Sequence, residues 1–140
     1  MKTTYMDYSA TTYVKPEVLD AMMPFFTEKF GNPSSFYGIS RETKMAVDNA
    51  RAQVAKAINC DPNEVYFTGG GSEADNWAIK GIATAHMKKG NHIITTKIEH
   101  HAVLHTCEFL EKFGFEVTYL DVNEEGFVDL KQLEEAITDK

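Results

Sequence analysis

Cysteines and long apolar runs are both scarce in this chain of 140 residues. The two cysteines, Cys60 and Cys107, match neither a disulfide framework nor a metal-ligand motif, so we expect a reducing, cytoplasmic setting. No run approaches the roughly 18 to 20 apolar residues that a membrane-spanning helix needs. The first residues lack the apolar segment of a signal peptide, and we expect neither secretion nor a membrane partner.

Positive charge is also in the minority, with 14 Lys and Arg residues against 21 Asp and Glu residues and a net charge of −7. This balance argues against nucleic acid as a partner, although it allows one local anion site. No grouping of His, Cys, Asp and Glu has the spacing of a metal site, so we expect no bound metal. The hydrophobic content of 43% indicates a globular chain of about one domain.

Helix and strand patterns alternate along the chain, which is typical of an α/β fold with a mainly parallel sheet covered by helices. Strands are predicted over residues 65–68, 92–96 and 115–120, and the pattern also allows a short strand over 5–8. Helices are predicted from Pro16, with Pro24 kinking or shortening this first helix, over 40–58, from Ser72 to a stop at 88–90, over 100–113 and after Asp129. Lys140 follows the last helix where such a chain would enter its next strand, so we expect a fragment of a longer protein.

The strongest functional signal is Gly69-Gly70-Gly71-Ser72, which follows the predicted strand over 65–68. We predict that Ser72, with Asp75 three residues on, is the capping pair that opens the next helix. A helix start presents unpaired backbone N–H groups and the positive end of the helix dipole. Gly71 and Ser72 would then donate to a phosphate; a plain strand–helix turn is the alternative.

A second interpretation of the same glycines is a small dinucleotide- or phosphate-binding module. The pattern Gly69-x-Gly71-x-x-Ala74 fits the dinucleotide fingerprint, with Glu99 as a candidate ribose partner. This hypothesis requires the strands over 65–68 and 92–96 to be adjacent in one sheet.

His100 and His101 follow the predicted strand over 92–96, where parallel sheets place ligands. A flat imidazole at this point would suit a planar cofactor ring and proton transfer near neutral pH. The alternative, which the residues alone favour, is that one or both histidines cap the next helix or lie in solvent. The other three histidines, His86, His92 and His105, are expected to be structural or exposed. Cys107 is expected to be buried on the apolar face of its helix.

Four stretches occur in an order and at a spacing that resemble one family: residues 7–12, 31–35, 67–76 and 98–104. The family is the NifS/IscS-type cysteine desulfurases, pyridoxal-phosphate enzymes of the aminotransferase class V group, and the resemblance covers the whole chain. It implies an incomplete large domain of the aspartate aminotransferase-like fold over 15–140, and a segment over 1–14 that belongs to the small domain and substrate entrance. In the family's sheet order, 3-2-4-5-6-7-1, the strand over 65–68 lies at the edge opposite the other two.

The resemblance also assigns roles to residues. Gly71 and Ser72 would hold the phosphate of pyridoxal 5'-phosphate, and His100 would stack on its ring and assist proton transfer. Ala10, Thr11 and Thr12 would line the substrate side. The implied reaction takes sulfur from L-cysteine and leaves alanine and an enzyme persulfide. The implied partners are a sulfur-acceptor or iron–sulfur scaffold protein and a second subunit of a homodimer; a related enzyme such as a selenocysteine lyase is an alternative.

Several features of the family are missing or changed. Tyr37 and Ser40 stand where members usually carry His and Gly. No Lys stands in the Ser-x-His-Lys setting that binds the cofactor, and neither Cys60 nor Cys107 stands where the sulfur-accepting cysteine belongs. We therefore expect the chain alone to be inactive. A non-enzymatic hypothesis is that it persists by associating with itself or with the remainder of the protein.

Overall fold

The structure is a computed structural model that describes residues 3–140, and the chain divides into two units, Met1–Tyr66 and Phe67–Lys140. Helices and a parallel sheet are both present, which confirms the predicted α/β class. None of the helices within residues 3–140 is long and apolar enough to cross a bilayer.

The first unit is helical. It contains α1 (Pro16–Met22), α2 (Pro24–Thr27), α3 (Gly38–Ile58) and a 3₁₀ turn (Pro62–Glu64). Proline begins both α1 and α2, because the first residue of a helix donates no intrahelical hydrogen bond. The predicted shortening of the first helix by Pro24 is thus confirmed, and α3 begins two residues before the predicted start.

Two loops of the first unit test the predictions made for residues 5–8 and 31–35. The short strand that the pattern allowed over residues 5–8 is not found: a turn over residues 7–10 begins there, in which the N–H of Ala10 donates to the carbonyl oxygen of Asp7 at 3.1 Å. The predicted turn at residues 31–35 is confirmed, with the N–H of Ser34 donating to Asn32 Oδ1 at 2.9 Å. Glycine is required at position 31, because a Cβ there would lie 2.8 Å from the backbone of Ile39.

The second unit carries the sheet. Its elements are α4 (Gly71–His86), β1 (His92–Thr96), α5 (His101–Glu111), β2 (Glu116–Leu120) and α6 (Leu130–Ala136). Strands β1 and β2 are parallel, in register from His92 opposite Glu116 to Thr96 opposite Leu120, and α5 is the crossover between them. Asp129 begins α6 as predicted, and its carboxylate accepts from the N–H of Lys131 at 2.9 Å.

The buried residues of the second unit lie on α5 and around the sheet. Cys107 and Leu110 are 1% and 2% exposed on one face of α5, with Phe115 and Leu120 also buried. The predicted burial of Cys107 is confirmed, and this burial raises the pKa of its thiol.

The predicted strand over residues 65–68 is wrong as a sheet strand. Val65 has extended backbone angles (φ −96°, ψ 123°), yet among residues 3–140 β1 pairs with β2 alone. The guanidinium of Arg51 donates to the carbonyl oxygen of Val65, which gives this oxygen a side-chain partner in place of a strand. A strand exists only where a second backbone supplies its hydrogen bonds. The adjacency that the dinucleotide hypothesis requires is therefore not found in the described part of the chain.

Candidate functional site

The start of α4 is a helix end without a side-chain cap. The N-cap is Gly70 and the first helical residue is Gly71, so the prediction that Ser72 caps the helix is wrong. Ser72 is instead the second residue of α4, two positions after the N-cap. The first intrahelical bond runs from the N–H of Ala74 to the carbonyl oxygen of Gly70 at 3.1 Å. The N–H groups of Gly71, Ser72 and Glu73 consequently have no acceptor within the helix.

The loop before α4 is held by two side chains. The N–H of Gly69 donates to Glu73 Oε2 at 2.6 Å, and Thr68 Oγ1 donates to the carbonyl oxygen of Gly70 at 3.1 Å. A Cβ on Gly70 or Gly71 would meet nothing within 4 Å. The loop thus leaves open space directly beside the unpaired N–H groups, which suits an anion that approaches the backbone closely.

His100 is the N-cap of α5. Its Nδ1 accepts from the N–H of Ala102 at 3.1 Å, so the interpretation that this histidine caps the helix is confirmed. Because Nδ1 is the acceptor, the neutral imidazole carries its proton on Nε2. The cap fixes the orientation of the ring and leaves Nε2 as the free end.

Ser72 and His100 line the same cleft, which has a volume of about 420 Å³. This volume lies within the range of about 300–1,000 Å³ that is typical of small-molecule sites. The start of α4 and the start of α5 therefore face one space, and a single ligand can contact both. The other lining residues are Asn76, Lys80, His101, Ala102, His105, Thr106 and Phe109.

Sequence reasoning missed several residues of this cleft. His105 is exposed as expected, but its ring stacks on that of His101, with centroids 5.2 Å apart, and it lines the cleft. Asn76 and Lys80 follow Ser72 at spacings of four and eight residues, on one face of α4. Helical periodicity counted from Ser72 and His101 was the signal that would have found them.

The residues predicted for the substrate side lie in the first unit. The N–H groups of Ala10 and Thr11 donate to the carbonyl oxygen of Asp7 at 3.1 and 3.4 Å. Thr12 lines a separate depression of about 610 Å³, together with Tyr8 and Tyr13. Their role toward a substrate stays a prediction. Within residues 3–140, no group of three or more His, Cys, Asp or Glu side chains is arranged to hold a metal ion.

Curated relatives match almost the whole of the chain. The cysteine desulfurase IscS of Clostridium botulinum (strain Hall) is 69% identical over 139 residues, which are 99% of this chain and 35% of that protein. The IscS of Methanosarcina thermophila is 58% identical over 138 residues, with coverages of 99% and 34%. The chain thus spans about a third of the length of the curated relatives it matches.

Solved structures give the same result for the fold. A NifS-like protein superposes with a TM-score of 0.90 at 41% identity, over 94% of this chain and 36% of that one. A structure described as SspA in complex with cysteine superposes with a TM-score of 0.91 at 42% identity, over 97% and 39%. The fold is therefore the N-terminal part of the NifS/IscS-like fold. The family profile described as aminotransferase class-V matches residues 4–140, and the chain belongs to that family.

Proposed function

We propose that this chain is the N-terminal part of a pyridoxal-phosphate-dependent cysteine desulfurase, to which it contributes a phosphate-binding loop and a cofactor-facing histidine. The observation that carries the proposal is the cleft shared by Ser72 and His100. Support for the activity comes from the curated relatives, which are named cysteine desulfurases at identities up to 69%.

The residues at the start of α4 and in the adjoining cleft fit this cofactor. The N–H groups of Gly71 and Ser72 and the hydroxyl of Ser72 would hold the phosphate, because they are donors at a positive helix end beside open space. His100 presents a planar ring whose Nε2–H can donate a hydrogen bond to the cofactor or the substrate. When bound, pyridoxal phosphate would supply the electron sink that lowers the cost of removing a proton from an amino acid.

The remaining assignments are part of the same proposal. L-cysteine is the proposed substrate, with Ala10, Thr11 and Thr12 on its side of the site; a solved relative, 42% identical, is described in complex with cysteine. The sulfur would pass to an acceptor or iron–sulfur scaffold protein, and the full-length protein would be a homodimer. A cytoplasmic location is supported by the two free cysteines.

The experiment compares the 140-residue chain with the full-length protein in the presence of pyridoxal phosphate, L-cysteine and a thiol reductant, which reduces the persulfide and releases its sulfur as sulfide. Only the full-length protein should form alanine and sulfide, because the 140-residue chain contains neither the Ser-x-His-Lys lysine nor the sulfur-accepting cysteine of the family. Enzyme-like rates from the chain by itself would contradict the expected inactivity. Faster turnover of L-selenocysteine than of L-cysteine by the full-length protein would favour a selenocysteine lyase.

The role of His100 is separated from its role as a cap by two variants of the full-length protein. His100→Asn replaces the ring by a good N-cap residue, whereas His100→Ala removes both ring and cap. Both variants should lose most of the activity, but only His100→Ala should also lose about 1 kcal/mol of stability. His86→Asn, which removes an imidazole outside the cleft, is the control. Wild-type activity in His100→Asn would refute the proposed role of the ring.

A further inference from the structure

Glu73 is the third residue of α4, and its carboxylate turns back onto the loop that precedes the helix. Its Oε2 accepts the N–H of Gly69 at 2.6 Å. A hydrogen bond to an ionised acceptor is shorter and stronger than one between neutral groups. This bond ties the start of the loop to the first turn of the helix and closes a ring around Gly70 and Gly71.

We propose that Glu73 is a positioning residue for the phosphate-binding loop. By holding Gly69, it keeps the free N–H groups of Gly71 and Ser72 aimed at one point before any ligand arrives. The inference rests on the proposed function, because it assumes that a phosphate binds at this helix start.

The physical reason lies in the three consecutive glycines. Glycine has more backbone freedom than any other residue, so the loop has a large entropy to lose when it adopts one conformation. A ligand that must order the loop binds more weakly than one that meets it already ordered. The Gly69–Glu73 bond restrains this freedom at one end, and the bond from Thr68 Oγ1 to the carbonyl oxygen of Gly70, at 3.1 Å, restrains it from the other side.

Charge and geometry act in opposite directions at Glu73. Its negative charge repels a phosphate, whereas its hydrogen bond organises the loop that binds the phosphate. Glu73→Gln keeps an acceptor oxygen and removes the charge, so it should retain phosphate affinity or improve it. Glu73→Ala removes the acceptor as well, and it should weaken phosphate affinity.

The hydrogen bond between residue 69 and Glu73 also depends on the absence of a side chain at position 69. A Cβ on residue 69 would lie 3.1 Å from Glu73 Oε2, which is closer than side chains normally approach. Gly69→Ala should therefore displace the carboxylate and weaken the same bond. If so, the effects of Gly69→Ala and Glu73→Ala on phosphate affinity should not add, because the second change has no bond left to remove.

The test measures the affinities of the full-length protein for pyridoxal phosphate and for pyridoxal, which lacks the phosphate. The ratio of the affinity for pyridoxal phosphate to the affinity for pyridoxal isolates the contribution of the phosphate from that of every other contact of the cofactor. Glu73→Ala should weaken pyridoxal phosphate binding by about fivefold to tenfold, the effect of losing one hydrogen bond, and leave pyridoxal binding within about twofold. Glu73→Gln should stay within about twofold of the wild type or bind more tightly. Glu134→Ala, which removes an exposed carboxylate from α6, is the charge-matched control.

Distinct outcomes separate this inference from the proposed function. If Ser72→Ala lowers the ratio but Glu73→Ala does not, the inference is wrong and the phosphate site stands. If the wild type shows no preference for pyridoxal phosphate over pyridoxal, the phosphate site and the inference both fail. Should Glu73→Ala not fold, Glu73→Asp replaces it: the shorter side chain keeps the charge but cannot reach Gly69, and an unchanged ratio would overturn the proposal.

Discussion

The two units of the chain bury very different side chains. Among residues 3–66 of the first unit, those buried are Ser40, Thr43, Ala55 and Val65, and neither α1 nor α2 has a buried residue. In the second unit, Leu110, Phe115 and Leu120 are buried around a sheet. The helical patterns of the two units look alike in sequence. The difference shows that an apolar stripe is buried only where another element supplies a face to cover it.

The site follows from this contrast. The described residues that line the cleft of Ser72 and His100 all belong to the second unit. They lie on α4, at the N-cap of α5 and along α5 itself. The crossover β1–α5–β2 holds α5 against the sheet, and α4 packs against α5. The residues that line this cleft therefore lie in the unit whose packing is able to fix them, whereas the proposed substrate-side residues Ala10, Thr11 and Thr12 lie in the first unit.

The largest expected effect of this contrast is on stability. Leu110→Ala should lower the free energy of unfolding by about 2–5 kcal/mol, because it opens a cavity at a side chain that is 2% exposed. Phe36→Ala in the first unit should change it by less than about 0.5 kcal/mol, because that ring is 98% exposed. Urea denaturation measures both. Equal losses would mean that the first unit is packed as firmly as the second.

The burial of the sheet should also be visible in the titration of Tyr119 on β2. Burial, followed by the charge of Glu111, raises the pKa of Tyr119 from 10.0 to about 12. The unfolded phenol loses its proton first, so this contribution to stability is complete below pH 10 and falls as the pH rises from about 10 to about 12. The phenolate absorbance should show one late step that Tyr119→Phe removes. A late step that persists in this variant would assign it to another tyrosine.

The reactivities of the two cysteine thiols provide another comparison of the two units. Cys107 is 1% exposed in the second unit and burial raises the pKa of its thiol, whereas Cys60 in the first unit is partly exposed. The thiolate is the reactive form, so a disulfide reagent should label Cys60 at least about tenfold faster than Cys107. Labelling of the single variants Cys60→Ser and Cys107→Ser assigns the rates. Faster labelling of Cys107 would show that α5 opens readily.

The smallest expected effect concerns buried hydroxyl groups. Ser40 in α3 is 1% exposed, and within residues 3–140 its Oγ has no hydrogen-bond partner. Thr106 in α5 is 2% exposed and its Oγ1 donates to the carbonyl oxygen of Ala102 at 2.7 Å. Ser40→Ala should therefore raise the free energy of unfolding by up to about 1 kcal/mol, and Thr106→Val should lower it by about 1 kcal/mol. Thermal denaturation measures both changes. A higher melting temperature for Ser40→Ala and a lower one for Thr106→Val would support the contrast.

Several elements were predictable because their causes lie within a few residues. Proline at the start of α1 and α2, Asp129 before α6 and the turn made by Asn32 are local determinants, and the structure agrees with them. The alternation of helix and strand likewise predicted β1, α5 and β2. The glycines marked the start of α4, although Gly70 rather than Ser72 is its N-cap.

The sequence by itself determined the turn at residues 31–35, where most of the helices and strands begin, and that a glycine loop leads into α4. Only the tertiary structure decided that residues 65–68 form no sheet strand, that His105 faces a cleft, and that Ser72 and His100 share it. Capping and turn formation depend on atoms a few positions apart along the chain. Strand pairing and the assembly of a cleft depend on atoms far apart in sequence, which only the packed fold brings together.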